Sequence, residues 1–232
     1  MKNLNQVNKT RSDSDDEDDE NYYHPMHSGL FYRRSNCTKF TYYIDQYIGA
    51  PSQYRPLLQC MENMQEGDKL DIFIQSGGGR LDASMAIING MHSTEGDVTV
   101  ISNGMTASAA GIILLSAPEL VISPVSQFMA HNCTFGSHGK TGEIESDVNF
   151  RKKYLDKLLD ESYYGFLTSD EIAEMKKGVD YYFDSDEILE RLERRSKIHQ
   201  ADIAKEAKEQ ASKQVVKSPK PKPAVKAASK KK

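Results

Sequence analysis

The chain has 232 residues, 38% of them hydrophobic and 28% charged, with a formal net charge of -4. That length suits one domain of ordinary size with extensions and is short for two independent cores. The longest apolar run, Gly111-Ile-Ile-Leu-Leu, stops well before the ~20 residues that cross a bilayer, which excludes a membrane-spanning helix.

The opening residues, Met1-Lys-Asn-Leu-Asn-Gln, run into acids and not into an apolar stretch, so no secretory signal is expected and the expected compartment is the cytoplasm. Cys37, Cys60 and Cys133 are odd in number and in no metal-ligand spacing, which points to reduced thiols and away from a disulfide scaffold. The net charge conceals three segments. Residues 1–21 sum to -4, residues 191–232 carry fourteen Lys or Arg against four acids, and the middle is left with -10. Lys213 to Lys232 holds eight lysines, three prolines and no acid, a composition that cannot offset chain entropy by burial. The expected organisation is a disordered acidic tail at 1–21, a folded domain at 22–190, a polar helix at 191–212 and a disordered basic tail at 213–232. The basic tail carries no aromatic residue for base stacking, so it reads as a solubilising or docking tail and nucleic acid is not an expected partner.

In chain order, Leu70-Asp-Ile-Phe-Ile-Gln alternates in period two and ends at Ser76-Gly-Gly-Gly, which predicts a strand closing in a tight turn. A helix follows, with Asp82 as the expected N-cap and Met85, Ala86, Ile87, Ile88 and Met91 on its apolar face. Val98-Thr-Val-Ile predicts a second strand, Asn103-Gly104 a turn, and Ala109 to Leu115 a second helix beginning near Ser108. Leu120-Val-Ile and Gln127-Phe-Met-Ala predict short strands punctuated by Pro118 and Pro124. From about Ser146 the apolar spacing turns helical through Val148, Tyr154, Leu155, Leu158 and Leu159. Ser169 to Lys177 predicts another helix stopped by Gly178, Tyr181-Tyr-Phe a strand, and Glu187 to Gln210 a long polar helix. The βαβα order is that of an α/β domain with right-handed crossovers.

Three features can carry chemistry. Ser108 sits at the first turn of a helix after a strand, where unpaired backbone N–H groups face a developing oxyanion; the same position suits a plain N-cap. The Gly-x-Ser-x-Gly elbow motif is absent. Gly77-Gly78-Gly79 can turn an N–H toward a ligand or simply make a turn, and no Lys-Ser/Thr follows to complete a nucleotide loop. His131 closes a predicted strand and is either a loop residue or a general base. His131, Cys133 and His138 lack a fourth ligand at a zinc spacing.

Together these motifs resemble a family. Phe73-Ile-Gln-Ser-Gly-Gly-Gly is similar to the strand and Ser-Pro-Gly-Gly turn of the proteolytic subunit of the Clp protease, and Asn103-Gly-Met-Thr-Ala-Ser-Ala-Ala-Gly to its nucleophile motif, Gly-x-Ala-Ala-Ser-x-Gly. Phe128-Met-Ala-His-Asn resembles its Met-Ile-His-Gln, and Asp160-Glu-Ser-Tyr-Tyr-Gly-Phe-Leu-Thr-Ser-Asp-Glu its Asp-Thr-x-Arg-Asp-x-Phe-Leu-Ser-Ala-x-Glu. The resemblance runs from about Phe40 to Leu189 and includes neither tail. It implies the family's fold, a ClpP/crotonase-like superhelix of βα units, and its chemistry. Ser108 would be the nucleophile, His131 the general base and Asp160 the third member, with Ala109 and Gly79 or its neighbour Gly78 as oxyanion donors. It further implies a homo-oligomeric ring, a polypeptide substrate, a separate AAA+ unfoldase and no cofactor. The chain departs from the family in having Gly77 where the turn has proline, Asn132-Cys133 after the histidine, and Asp160 only 29 positions after His131, a span in which the family builds a long handle helix.

The competing readings are an acyl-CoA hydratase or isomerase of the same superfamily, a non-catalytic ring subunit, and a specialised processing protease such as one for viral capsid maturation. Because neither tail overlaps the motif-bearing region, a shortened chain of residues 22–212 is expected to keep the peptidase activity of the full chain, read as hydrolysis of a fluorogenic peptide; loss of hydrolysis would place a tail in the functional unit.

Overall fold

The period-two alternation of Lys69–Ser76 does what it predicts. The strand β4 (Lys69–Ser76) buries Leu70, Ile72, Ile74 and Ser76 on one face and turns Asp71, Phe73 and Gln75 to the other. β3 (Lys39–Ile44) and β5 (Asp97–Ala107) flank it in parallel register, with Tyr43, Phe73 and Ile101 side by side. The computed structural model describes residues 24–27, 30–33 and 37–216, with side chains from 37 to 209. The acidic segment 1–21 and the basic residues beyond 216 lie outside the described residues.

Among the described residues there is one mixed sheet of eight strands. β1 (His24–His27) and β2 (Leu30–Arg33) extend it antiparallel beyond β3. At the other side β5 is long enough to take two neighbours in succession. β6 (Glu119–Ile122) pairs with Thr99–Ser102 and β7 (Gln127–Ala130) with Met105–Ala107; β8 (Tyr181–Phe183) closes antiparallel on β7. The helices α1 (Arg55–Asn63), α2 (Leu81–Ser93) and α3 (Ala109–Leu115) pack in sequence on the buried face of the sheet. α3 is buried at all seven residues, so its apolar sequence reflects position and not a membrane. No helix among the described residues is long and apolar enough to cross a membrane.

Two expectations change. Asn103-Gly104 is not a turn: β5 runs on to Ala107, and the register with β4 slips between Ile74 and Ser76, so the pair forms a bulge. The buried hydroxyls nearby repair the ladder. Ser102 Oγ and Thr106 Oγ1 are 3.0 Å apart across the bulge, and Ser126 Oγ donates to Ser102 O at 2.9 Å. Asp82 is not the N-cap of α2 either. Arg80 holds that position with extended backbone, and Asp82, in the first turn, accepts from Ala83 N and pairs with Arg80.

The C-terminal helices fold back onto the sheet. α4 (Thr141–Tyr163) touches the core only toward its end, where Leu159, Ser162 and Tyr163 are buried, while Phe150 and Tyr154 stack on each other in solvent. α5 (Ser169–Lys176) opens on a capping box in which Thr168 is the N-cap and Glu171 reciprocates. α6 (Ser185–Val216) is one continuous helix, so the expected break at 213 falls inside it. Its docking depends on arginines. Arg191 forms a bidentate pair with Glu171, donates to Phe166 O and lies 4.1 Å over the Phe183 ring; Arg194 donates to Gly165 O and Phe166 O. Gly165 has φ +75, and a Cβ there would lie 3.2 Å from Arg195 Cα, so this turn needs a glycine for α6 to approach.

The hydrogen bonds from Arg191 hold the Glu171 carboxyl down at about 2 from an ordinary 4.5. Its folded-state value is depressed, so the pair stabilises the fold above pH ~4.5 and that contribution is lost as pH falls toward 2. Glu171→Gln is expected to cost on the order of 1–2 kcal/mol at pH 7, after allowance for the pair's partial exposure, and to flatten the acid limb of urea stability between those values. A variant as acid-sensitive as the wild type would show that the pair contributes nothing.

Candidate active site

β5 ends and α3 begins at Ser108, which has φ +56 and ψ -126 and is the one non-glycine residue with positive φ among the described residues. That backbone costs about 1–3 kcal/mol for a residue with a Cβ and persists only when its surroundings over-determine it. Here they do. Ser108 N donates to Met129 O at 3.0 Å, α3 is locked in the core, and the neighbours Thr106 and Ala110 are small enough to be fully buried. The backbone is thus a strand-to-helix elbow without the Gly-x-Ser-x-Gly sequence, because the space comes from another strand. A Cβ on Gly78 would lie 2.6 Å from Ser108 Cβ and 2.7 Å from Ala107 O.

The elbow lifts the Ser108 side chain to His131. Its Oγ is 2.7 Å from His131 Nε2, a full hydrogen bond between two half-buried groups. His131 follows β7, whose pairing with the end of β5 sets this distance. The glycine turn after β4 closes over the same space. Ser76 Oγ donates to Gln46 O at 2.6 Å and accepts Gly78 N–H at 3.1 Å, so the Gly78 donor is in use. Ile48 is bridged to Gly79 through Ile48 N to Gly78 O and Arg80 N to Ile48 O, which turns the N–H of Gly79 itself away from Ile48. The Ala109 N–H, at the first helical position, has no intrahelical acceptor. Of the two glycines named from sequence, Gly79 rather than Gly78 has a donor to offer.

Ser108 and His131 are therefore brought together, and Asp160 is not brought to them. Its carboxylate is 57% exposed and takes Lys176 Nζ at 2.7 Å; no hydrogen bond joins it to His131. On α4 the inward positions near this point are Leu159, Ser162 and Tyr163, and Asp160 is directed instead at α5. Its link to the site is indirect, since Lys176 O accepts Asn132 Nδ2 at 2.9 Å next to His131.

The cavity at Ser108 is about 640 Å³, within the range of small-ligand sites, and Gly79, Ala109 and His131 line it. Its walls were not readable from motifs. Ile112 comes from α3, Cys133 and Phe135 from the segment after His131, and Leu155 and Tyr163 from α4, converging from distant sequence. Burial pushes the Cys133 thiol above its ordinary value, so it is a wall and not a thiolate; Cys60, in the core, is pushed up to about 12. At the rim Arg80 and Asp82 pair, and the hydrogen bond from Arg80 holds the Asp82 carboxyl below the usual range.

The fold and site define an α/β protein with a serine–histidine pair at a strand–helix elbow. The Clp protease family profile matches residues 50–193, well over half of the chain, and the chain belongs to the Clp protease family. It is similar to the ATP-dependent Clp protease proteolytic subunit of Bacteroides thetaiotaomicron, 31% identical over 104 residues, 44% of this chain and 46% of that one. It is also similar to the ATP-dependent Clp protease proteolytic subunit 2 of Treponema denticola, 36% identical over 90 residues, 38% of this chain and 45% of the relative. The chain thus matches about half the length of these curated relatives.

If the Ser108 backbone is strained, glycine should relieve it. Ser108→Gly is expected to be about 1 kcal/mol more stable than Ser108→Ala, which keeps the Cβ at positive φ. Equal urea midpoints for the two variants would show that the elbow stores no strain.

Proposed function

We propose that this protein is a serine endopeptidase that cleaves polypeptide through an acyl-enzyme. The observation that carries the proposal is the 2.7 Å contact between Ser108 Oγ and His131 Nε2 on an elbow with two open backbone donors. His131 Nε2 takes the Ser108 proton as Oγ attacks the scissile carbonyl carbon. The carbonyl oxygen becomes an oxyanion that accepts from the N–H groups of Gly79 and Ala109. Collapse breaks the C–N bond, His131 gives its proton to the leaving amine, and water, activated by the same imidazole, releases the acyl group and restores Ser108. This needs the tautomer with its proton on Nδ1, which presents an Nε2 lone pair to the serine.

In this reading Ser108 and His131 are the reacting pair. Asp160 contributes to orientation of the imidazolium only on release from Lys176, so its share in the arrangement described is small. Membership of the family supports a ring of copies of this chain in the cytoplasm, and the names of the relatives, ATP-dependent proteolytic subunits, support an AAA+ unfoldase as the partner that delivers polypeptide. One observation favours a second reading, a ring subunit without activity: the carboxylate expected to complete the triad is held elsewhere.

A fluorophosphonate probe read by mass on the labelled peptide separates the two. Labelling is expected at Ser108 and is lost by several orders of magnitude in Ser108→Ala and His131→Ala, while Asp160→Asn changes the rate by less than about threefold. Labelling that collapses in Asp160→Asn would return the aspartate to the reacting set. No labelling of the assembled wild type would select the inactive ring subunit.

A further inference from the structure

The family match ends at 193, but α6 continues for more than twenty residues and forms one wall of a second cavity of about 640 Å³. The opposite wall is the end of α3 and the start of β6, where Leu115, Pro118 and Leu120 face Leu192 and Ile203 of α6. Into this apolar groove projects Arg195, the third arginine of the α6 series. Arg191 and Arg194 are fully used in docking the helix. Arg195 is not: its Nη1 is buried from water with no hydrogen-bond partner, and it takes part in no ion pair among the described residues. Burial alone lowers its affinity for the proton, with no carboxylate acting in the other direction. His92 and His199 are the other titratable groups lining the groove, and no acid lines it. The His199 ring is held in place by stacking on Tyr164 at 5.7 Å.

Arg195 is half-buried, with Nη1 away from water and the residue also lining the groove, and a partly desolvated guanidinium without a counter-ion is costly, so an anion paired with its groove-facing part offsets what burial removed. One planar fork among apolar walls fits a carboxylate on an apolar stem better than a phosphate, which draws several cations. Ser116, and Ser196 with Gln200, whose Nε2 donates to Ser196 Oγ at 3.3 Å, add hydrogen-bonding groups to the groove, suited to the amide that precedes a terminal residue and of no use to a simple fatty acid. We propose that the groove between α6 and the α3–β6 corner binds the carboxyl-terminal residue of a polypeptide, its free carboxylate on Arg195 and its apolar side chain against Leu120 and Ile203. The site does not involve Ser108 or His131, so it stands or falls apart from the catalytic reading.

The test uses the full chain with Ser108→Ala, so that nothing is cleaved, and a fluorescein-labelled pentapeptide ending in Leu-Leu, as the free acid and as the C-terminal amide. Fluorescence anisotropy should show the acid binding at least about tenfold more tightly than the amide. Arg195→Met should weaken the acid to the level of the amide. Ile203→Glu, at a residue 67% exposed and so neutral to folding, should weaken it similarly by placing an acid at the rim, and it decides the matter if Arg195→Met does not fold. Equal binding of acid and amide, binding indifferent to both substitutions as at the Ser108 cavity, or displacement by decanoate at lower concentration than by unlabelled peptide would each overturn the proposal.

Discussion

The backbone of Ser108 is the constraint on which the site depends. A residue with a Cβ is held at φ +56 between a strand and a helix, and nothing local favours that conformation. It is imposed by α3, whose seven residues are all buried, by the bond from Ser108 N to Met129 O, and by Gly78, which leaves the room that a side chain would fill. Each comes from a different part of the sheet. Strain at the serine is thus offset by burial elsewhere, and the reward is an Oγ lifted clear of the sheet into reach of His131.

The forked pairing of β5 has the same logic. A single strand supports β6 along its first half and β7 along its second, so that the residue after β7 lies beside the residue after β5. The bulge at Asn103-Gly104 shifts the second half of β5 relative to β4, and Ser102, Thr106 and Ser126 satisfy the polar groups this exposes inside the core. Buried hydroxyls outside the candidate site therefore help to set where Ser108 and His131 meet. The C-terminal helices add a second layer of fixed geometry through arginine. Two guanidiniums are spent on backbone carbonyls and Glu171, and the third lines a groove with its Nη1 buried and unpartnered.

Much of this was legible in the chain. Period two marked β4 and the first part of β5, a small-residue helix start marked Ser108, and the order of motifs marked the family that the profile match bears out. The misreadings share a cause. Asn-Gly is a turn signal by local preference, but in β5 neighbours on both sides supplied ladder partners and the same two residues became a bulge. Asp82 has the chemistry of an N-cap, yet the chain enters α2 two residues earlier, from Arg80, because the bridge at Ile48 fixes the glycine turn. The strands and helices before residue 69 were not read at all: β1, β2 and β3 are only four to six residues long, too short for a periodic signal, and α1 carries Leu57, Cys60 and Met61 inward and little else.

Sequence by itself determined the elements whose faces repeat, the serine and histidine that we propose react, and the glycines that a close approach demands, since each of these is a property of a residue and its near neighbours. Only the tertiary structure decided which groups meet. Asp160 lies in a motif that reads as catalytic, but its direction is set by the rotation of α4 against the core and by Lys176 across on α5, neither of which has a local signature. That the Gly79 N–H is left open while the Gly78 N–H is taken likewise rests on Ser76 and on Ile48, which reaches the glycine turn from the segment after β3. A residue's chemistry is written in its side chain; its partner is chosen by packing, which sums contributions from segments far apart in the chain.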